Sequence, residues 1–333
     1  MKFCGLLNVS KPPDVTSRKV VDLVARLVRP AKAGHAGTLD PLATGVLVVC
    51  VGPATRLIEY VQRLPKRYRA TFLLGRYSPT EDVEGEVVEL PNPPVPSLPE
   101  VVEAAAKLTG EILQRPPAFS ALKVQGRRAY DLARKGQAVD LQPRPVTVYS
   151  LTVVEYDYPR LVLDVECTGG TYVRSLGRDL ADSLGSAAVM AELVRTAIGA
   201  FRIEDALNPQ GLTEERLVAH LLPPLRAVET LPHVVLSTEL AARLRRGMRI
   251  RRAELEPADR QLRDGSHDAV EVEAPQKTDW CTSRDLRGPQ SQQRWYVSSV
   301  LQNAELAVID PNGALVGVGT LDGDDLRPVI NMP

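Results

Sequence analysis

Residues 34–45 read Gly34-His35-Ala36-Gly37-Thr38-Leu39-Asp40-Pro41-Leu42-Ala43-Thr44-Gly45 and run directly into the apolar segment Val46-Leu47-Val48-Val49-Cys50-Val51. One acid and one imidazole thus sit on a glycine-bounded loop at the mouth of a buried strand, where a rigid element can present a reactive group and glycine lets a bulky ligand approach the backbone. Asp followed by Pro is also an ordinary turn opening, so Asp40 gains chemical meaning only from its company. That company includes a phenol and a guanidinium. Tyr68 opens the strand-like run Tyr68-Arg69-Ala70-Thr71-Phe72-Leu73-Leu74, and Arg174 falls in the first turn of a helix expected over 172–184. A cation there opposes the helix macrodipole, which a bound anion or an Asp partner would offset. Carboxylates serve as nucleophiles at glycosidic carbons, and a paired arginine favours the anionic form.

Other chemistries lack their residues. The chain has no Gly-x-x-x-x-Gly-Lys-Ser/Thr loop, no dinucleotide Gly-x-Gly-x-x-Gly between strand and helix, and no Gly-x-Ser-x-Gly elbow. Its four histidines, at 35, 220, 233 and 267, and four cysteines, at 4, 50, 167 and 281, show no metal-ligand spacing, so neither metal nor cofactor is expected and the thiols read as reduced and structural. No apolar stretch approaches a membrane span and the start lacks a signal-peptide pattern, which makes the cytoplasm the expected compartment. Net charge is zero, yet residues 1–76 hold 13 Lys and Arg against 4 Asp and Glu, while residues 77–111 hold 1 against 8. The Asp40 loop and the run Arg63-Leu64-Pro65-Lys66-Arg67-Tyr68-Arg69 therefore lie in a basic segment that suits phosphates as well as a plain solvated face.

The elements that must hold these groups follow from periodicity. Apolar residues at helical spacing predict a helix over 17–28, capped by Thr16 or Ser17 and ended by Pro30. Residues 68–74 place Tyr68, Ala70, Phe72 and Leu74 on one strand face, and 161–167 alternate as a half-buried strand. Five prolines in 91–99 make that stretch an extended connection before a helix over 100–108. Residues 115–136 mix Pro, Gly, aromatics and cations, which suits a segment that contacts RNA or a surface helical hairpin. Beyond Pro223-Pro224 the character changes. Residues 251–294, with 8 basic and 9 acidic residues and few aliphatics, are expected to be a largely disordered insertion. Residues 306–319 are expected to form a β-hairpin around Asn312-Gly313. The fold class expected is α+β, with a mixed, mainly antiparallel central sheet flanked by helices and a small C-terminal β domain.

The dodecamer at 34–45, Lys66-Arg67-Tyr68-Arg69 and Gly170-Thr171-Tyr172-Val173-Arg174 resemble, in order, the motifs of the bacterial TruB type of tRNA pseudouridine synthase. Leu6-Leu7-Asn8-Val9-Ser10-Lys11-Pro12 and Ser120-Ala121-Leu122-Lys123 extend the resemblance, which covers about residues 5–228. It implies isomerisation of a uridine in the T-loop of tRNA, position 55, to pseudouridine without cofactor or metal. By that analogy Asp40 is the nucleophile, attacking ribose carbon 1 or ring carbon 6. Tyr68 stacks on the base and could take the carbon 5 proton if its pKa is lowered, and Arg174 pairs with Asp40 and holds it ionised. The target base must leave the loop before a carboxylate can reach it, and His35 matches the residue that fills the vacated stack. Tyr172, Asp82, Lys11 and Lys123 are the further residues expected to bind substrate.

The resemblance also implies a catalytic domain over 1–228 with a thumb-like RNA-contacting segment at 115–136. A PUA-like RNA-binding domain follows over 229–333, interrupted by 251–294, and the partner is the T-arm stem-loop of tRNA. The chain is expected to be a monomer. Residues 75–82, Gly75-Arg76-Tyr77-Ser78-Pro79-Thr80-Glu81-Asp82, depart from the family's usual Thr-Asp-Thr-x-Asp run, with Pro79 replacing the first Asp and Asp82 kept. Two other functions compete: an RNA-binding, tRNA-folding module without catalysis, and a guide-dependent synthase of the dyskerin type.

Overall fold

The computed structural model describes residues 3–120, 122–124, 126–133, 141–251, 254–255, 272–273, 304–323 and 325–333. Its larger sheet runs, edge to edge, Gly5–Lys11, Thr44–Val51, Ala188–Ile198, Lys66–Leu74, Arg160–Cys167, Arg144–Asp157 and Gly110–Gln114. Ala33–His35 adds to Thr44–Val51, and Phe201–Arg202 adds to Ala188–Ile198. Every pairing is antiparallel except that of Thr44–Val51 with Ala188–Ile198, which is parallel. The sheet is thus mixed and mainly antiparallel, with helices against it.

Thr44–Val51 shows why an unbroken apolar run forms a central strand. Val46, Val48 and Cys50 face a cluster with Leu6, Leu57 and Phe201, while Leu47, Val49 and Val51 face Val20, Val21 and Val24 of the helix Ser17–Leu27. Both faces are buried, so no polar alternation is needed. Thr16 caps that helix by accepting from Lys19 N at 3.2 Å. On the other half of the sheet, the helices Leu98–Lys107 and Val173–Ser183 pack on Phe72, Leu161 and Leu163. Ser97 and Glu100 form a capping box at the first of these. Gly177 lets the second lie flat on Phe72, whose ring a Cβ would meet at 2.0 Å.

The smaller sheet runs Ile250–Arg251, Asp325–Asn331, Leu315–Asp322, Glu305–Ile309, His233–Val235 and Val272–Glu273. The expected hairpin joins Glu305–Ile309 to Leu315–Asp322. Its loop is longer than two residues, because Asp310 turns the chain by accepting from Asn312 N and Ala314 N, each at 3.0 Å. Most of the expected disordered insertion 251–294 lies outside the described residues. Within it, Val272 and Glu273 pair with Val234 and His233 as a two-residue edge strand. The 115–136 segment contains a β-hairpin, Lys123–Val124 with Arg127–Arg128, and the short helix Ala129–Ala133, so it is not a helical hairpin.

The two sheets share buried side chains. Ala307, Leu315, Val318 and Met332 belong to the same apolar cluster as Leu6, Val46, Val48 and Cys50. Polar contacts border it: Tyr60 Oη donates to Glu305 at 2.8 Å, Arg63 pairs with the same carboxylate at 2.7 Å, and Arg56 donates to the Asn331 carbonyl at 2.6 Å.

Candidate active site

The Asp40 loop is held by its backbone on several sides. Ser17 Oγ, buried at the start of the first long helix, donates to the Leu39 carbonyl at 3.1 Å and accepts from Leu39 N at 2.9 Å. Lys11 Nζ donates to the Pro41 carbonyl at 3.0 Å and to those of Val15 and Pro12 at 2.6 and 2.9 Å. Arg195, 2% exposed, donates to the carbonyls of Gly37 at 3.1 Å, Thr38 at 3.4 Å and Val46 at 2.7 Å. Gly45 lets the loop rejoin the sheet: its φ is +98°, and a Cβ there would lie 2.3 Å from the Arg195 carbonyl. Residues 37, 38, 39 and 41 are thereby tied, and the Asp40 carboxylate projects from a fixed frame with 37% of its side chain exposed.

Arg174, 6% exposed, meets Asp40 from the second position of the helix Val173–Ser183. Its Nε lies 3.1 Å from Asp40 Oδ2 and its Nη1 lies 3.3 Å from Asp82 Oδ2. It also donates to the carbonyls of Thr80 at 2.7 Å and Phe119 at 3.2 Å. A guanidinium at a positive helix end is therefore balanced by two carboxylates and two carbonyls. Asp82 is itself 2% exposed and accepts from Thr80 Oγ1 at 2.6 Å and Glu84 N at 3.1 Å.

Tyr68 sits on the neighbouring strand, paired in register with Val165 on one side and Arg195 on the other, and packs on the cluster that contains Leu39 and Ala43. Burial pushes its phenol above the ordinary value, while the Arg195 guanidinium beside the hydroxyl opposes that push without reversing it. The lowered pKa that a proton-accepting phenol requires is thus absent, because desolvation outweighs the nearby cation.

Lys11 and Asp82, expected to bind substrate, are buried. Lys11 is fully buried and gives its N–H groups to three backbone carbonyls, so it fixes the loop instead of facing a ligand. Desolvation pulls its ammonium down to about 8. Asp82 likewise sits behind Asp40, on Arg174, and not at an open surface. The basic run is largely taken up by partners within the protein, only Lys66 of its cations being buried. Lys66, 4% exposed, donates to the carbonyls of Gln62 and Leu64, Arg67 pairs with Glu166 at 3.3 Å and Arg69 with Asp164 at 2.7 Å.

His35 is half-buried on Ala33–His35, five residues before Asp40, and its Nδ1 is buried without a hydrogen-bond partner among the described residues. Burial and the Arg195 charge lower its pKa, which favours the neutral ring. Tyr172 precedes the Arg174 helix. Its backbone exchanges hydrogen bonds with the buried Gln114 amide at 2.8 and 3.0 Å, and Arg144 stacks 5.0 Å over its ring. Lys123 lies on Lys123–Val124, but its expected RNA contact rests on a side chain outside the described structure.

Sequence reasoning missed Arg195 and Glu81. Arg195 could have been flagged as the lone cation in the mainly apolar strand Ala188–Ile198, since an arginine is rarely buried without a task. Glu81 carried no local signal.

The assembled geometry is a part-exposed carboxylate clamped by a buried guanidinium, beside a half-buried tyrosine, on a mixed sheet with a second β layer fused to it. The fold is that of the pseudouridine synthases. The chain superposes on one from a Cbf5-Nop10-Gar1 complex with a TM-score of 0.69 at 23% identity, covering 100% of this chain and 86% of that one. A chain from an H/ACA RNP bound to a substrate RNA containing 2'-deoxyuridine gives 0.67 at 23% identity, with the same coverage.

Residues 25–173 match the family model described as TruB family pseudouridylate synthase, N terminal domain. The tRNA pseudouridine synthase B of Caldanaerobacter subterraneus subsp. tengcongensis is 34% identical over 329 residues, 98% of this chain and 99% of that protein. That of Cereibacter sphaeroides is 43% identical over 248 residues, 73% of this chain and 82% of that protein. The chain belongs to the TruB family of pseudouridylate synthases. Among the described residues, no helix is long and apolar enough to cross a membrane.

Proposed function

We propose that this protein converts a uridine of tRNA, position 55 in the T-loop, to pseudouridine, with Asp40 as the nucleophile. The observation that carries the reading is the Asp40–Arg174 ion pair, 3.1 Å long, in which only the carboxylate is left open to solvent. In the reaction the N1–C1′ bond breaks, the base turns, C5 bonds to C1′, the C5 proton leaves and N1 gains one. Asp40 forms the transient covalent bond, at ribose carbon 1 or ring carbon 6. Arg174 holds the carboxylate in place, Tyr68 and Tyr172 line the pocket, and His35, neutral and half-buried, fills the stack vacated by the flipped base.

Residues 1–228 form the catalytic part, with 115–136 as a thumb-like segment that contacts the RNA, and 229–333 add RNA contacts. The protein works as a monomer in the cytoplasm. Because burial keeps the Tyr68 phenol protonated past its usual value of about 10, the pH–rate profile should carry no alkaline break from Tyr68 below that pH. A break below pH 9 that vanishes in Tyr68→Phe would contradict this.

The deciding experiment incubates purified protein with a bare T-arm stem-loop carrying [5-³H]uridine at the target position and measures tritium release. Turnover is expected with no guide RNA or accessory protein. No release from the bare stem-loop or from full-length tRNA would remove the isomerase reading. Tight tRNA binding in that case would favour a tRNA-folding module, and release only with a guide RNA would favour the dyskerin type.

A further inference from the structure

The loop between Gly75 and Gly85 reaches the helix Val173–Ser183 through three consecutive residues. Thr80 offers its carbonyl to Arg174 Nη1 at 2.7 Å, and Asp82 offers its carboxylate to the same nitrogen at 3.3 Å. Between them Glu81 turns the other way. Its Oε2 accepts from Ser175 Oγ at 2.9 Å, and its Oε1 accepts from Arg178 Nη1. Residues 174, 175 and 178 lie on one helix face, so one turn of helix grips three successive residues of the loop.

Glu81 is suited to this place in no other obvious way. It is a non-glycine residue with φ +62°, a left-handed conformation that is uncommon and strained outside glycine. Its backbone is pinned as well, since its carbonyl accepts from Met190 N at 3.0 Å and Val83 N donates to the Met190 carbonyl at 3.1 Å. Arg178 is oriented from behind by Asp179 Oδ1, 2.9 Å from its Nε, and by the Arg115 carbonyl, 2.9 Å from its Nη2. Removing the Glu81 carboxylate takes away the side-chain part of this hold while leaving the backbone part, on the side away from the pocket.

We propose that Glu81 is a positioning residue: gripped by Arg178 and Ser175, it fixes Thr80 and Asp82 against Arg174 and thereby sets the seat of Asp40. The site that holds the nucleophile is then built in two layers, and the outer ion pair belongs to the reaction without touching the RNA. This rests on the isomerase reading, and it assigns a task to the pair in a chain whose loop has Pro79 where an acid would otherwise stand.

The test compares wild type with Glu81→Gln, Glu81→Ala, Arg178→Ala and the double Glu81→Ala/Arg178→Ala by tritium release at several tRNA concentrations, with a melting curve for each. Displacing a catalytic group by a fraction of an ångström to 1 Å costs about ten- to a hundredfold. Each alanine variant should therefore lose about tenfold or more in kcat with KM within about twofold. Glu81→Gln, which keeps the Ser175 hydrogen bond but not the ion pair, should fall between them and wild type. The double variant should lose no more than about threefold beyond the worse single one, because the two side chains act as one unit.

Wild-type kcat in the Gln and Ala variants, losses that multiply in the double variant, or a raised KM at unchanged kcat would each overturn the proposal. If Glu81→Ala melts below the assay temperature, the kcat of the folded Glu81→Gln variant decides. Absence of turnover in the wild type would instead count against the isomerase reading itself.

Discussion

Asp40→Asn protein should bind tRNA within a few-fold of wild type and release no measurable tritium from [5-³H]uridine tRNA. The substitution keeps the shape of the side chain and removes its negative charge, and an amide cannot form the covalent bond that splits the isomerisation into two steps. Removing a nucleophile from a preassembled site costs on the order of 10⁴ to 10⁶ in kcat, which places the variant below detection. The fold should tolerate the change. Asp40 is the exposed member of the Arg174 cluster, and Arg174 keeps Asp82 and the carbonyls of Thr80 and Phe119 when the Asp40 charge is lost. A filter-binding isotherm alongside the tritium assay separates the two effects. Turnover within a hundredfold of wild type would show that Asp40 is a turn residue after all.

Arg174→Met should lose both activity and stability. Asp82 is 2% exposed, and among the described residues Arg174 is the cation that pairs with it. Leaving a buried carboxylate without its cation costs about 3–5 kcal/mol. In a protein of this size that corresponds to a fall in Tm on the order of 10 °C, at roughly 2–4 °C per kcal/mol. Activity should fall by about 10³ or more, because the Asp40 carboxylate loses its ion-pair partner as the Thr80 and Phe119 carbonyls lose their donor. Arg174→Lys keeps a positive charge but offers a compact ammonium in place of a fork, and one nitrogen cannot sit where both Nε and Nη1 do. It should recover most of the stability and little of the rate. Calorimetry and single-turnover kinetics on both variants would check this ordering, and a Met variant that melts with wild type would refute it.

The central strand at 46–51 and the helices over 17–28 and 172–184 were readable because their apolar periodicity reflects what they bury locally. The grouping of Asp40, Tyr68 and Arg174 was readable because all three stand in ordered motifs. What could not be read is anything decided by distant pairing. The parallel contact of Thr44–Val51 with Ala188–Ile198 joins segments about 150 residues apart, and it is this contact that brings Arg195 under the Asp40 loop. Lys11 and Lys66 look like surface cations in a basic stretch, since their burial depends on carbonyls that converge only in the folded chain. The edge strand Val272–Glu273 was hidden for a related reason: two residues carry no periodicity, and their pairing with His233–Val235 is set by the rest of the smaller sheet.

The cluster shared by Ala307, Leu315, Val318 and Met332 with Leu6, Val46, Val48 and Cys50 has a practical consequence for anyone dissecting the protein. A gene fragment ending near residue 228 would strip the cover from one side of the strand that carries the nucleophile loop, leaving a sticky half-protein whose inactivity says nothing about chemistry. How much the tail adds to tRNA affinity is a question for surface substitutions made in the intact chain.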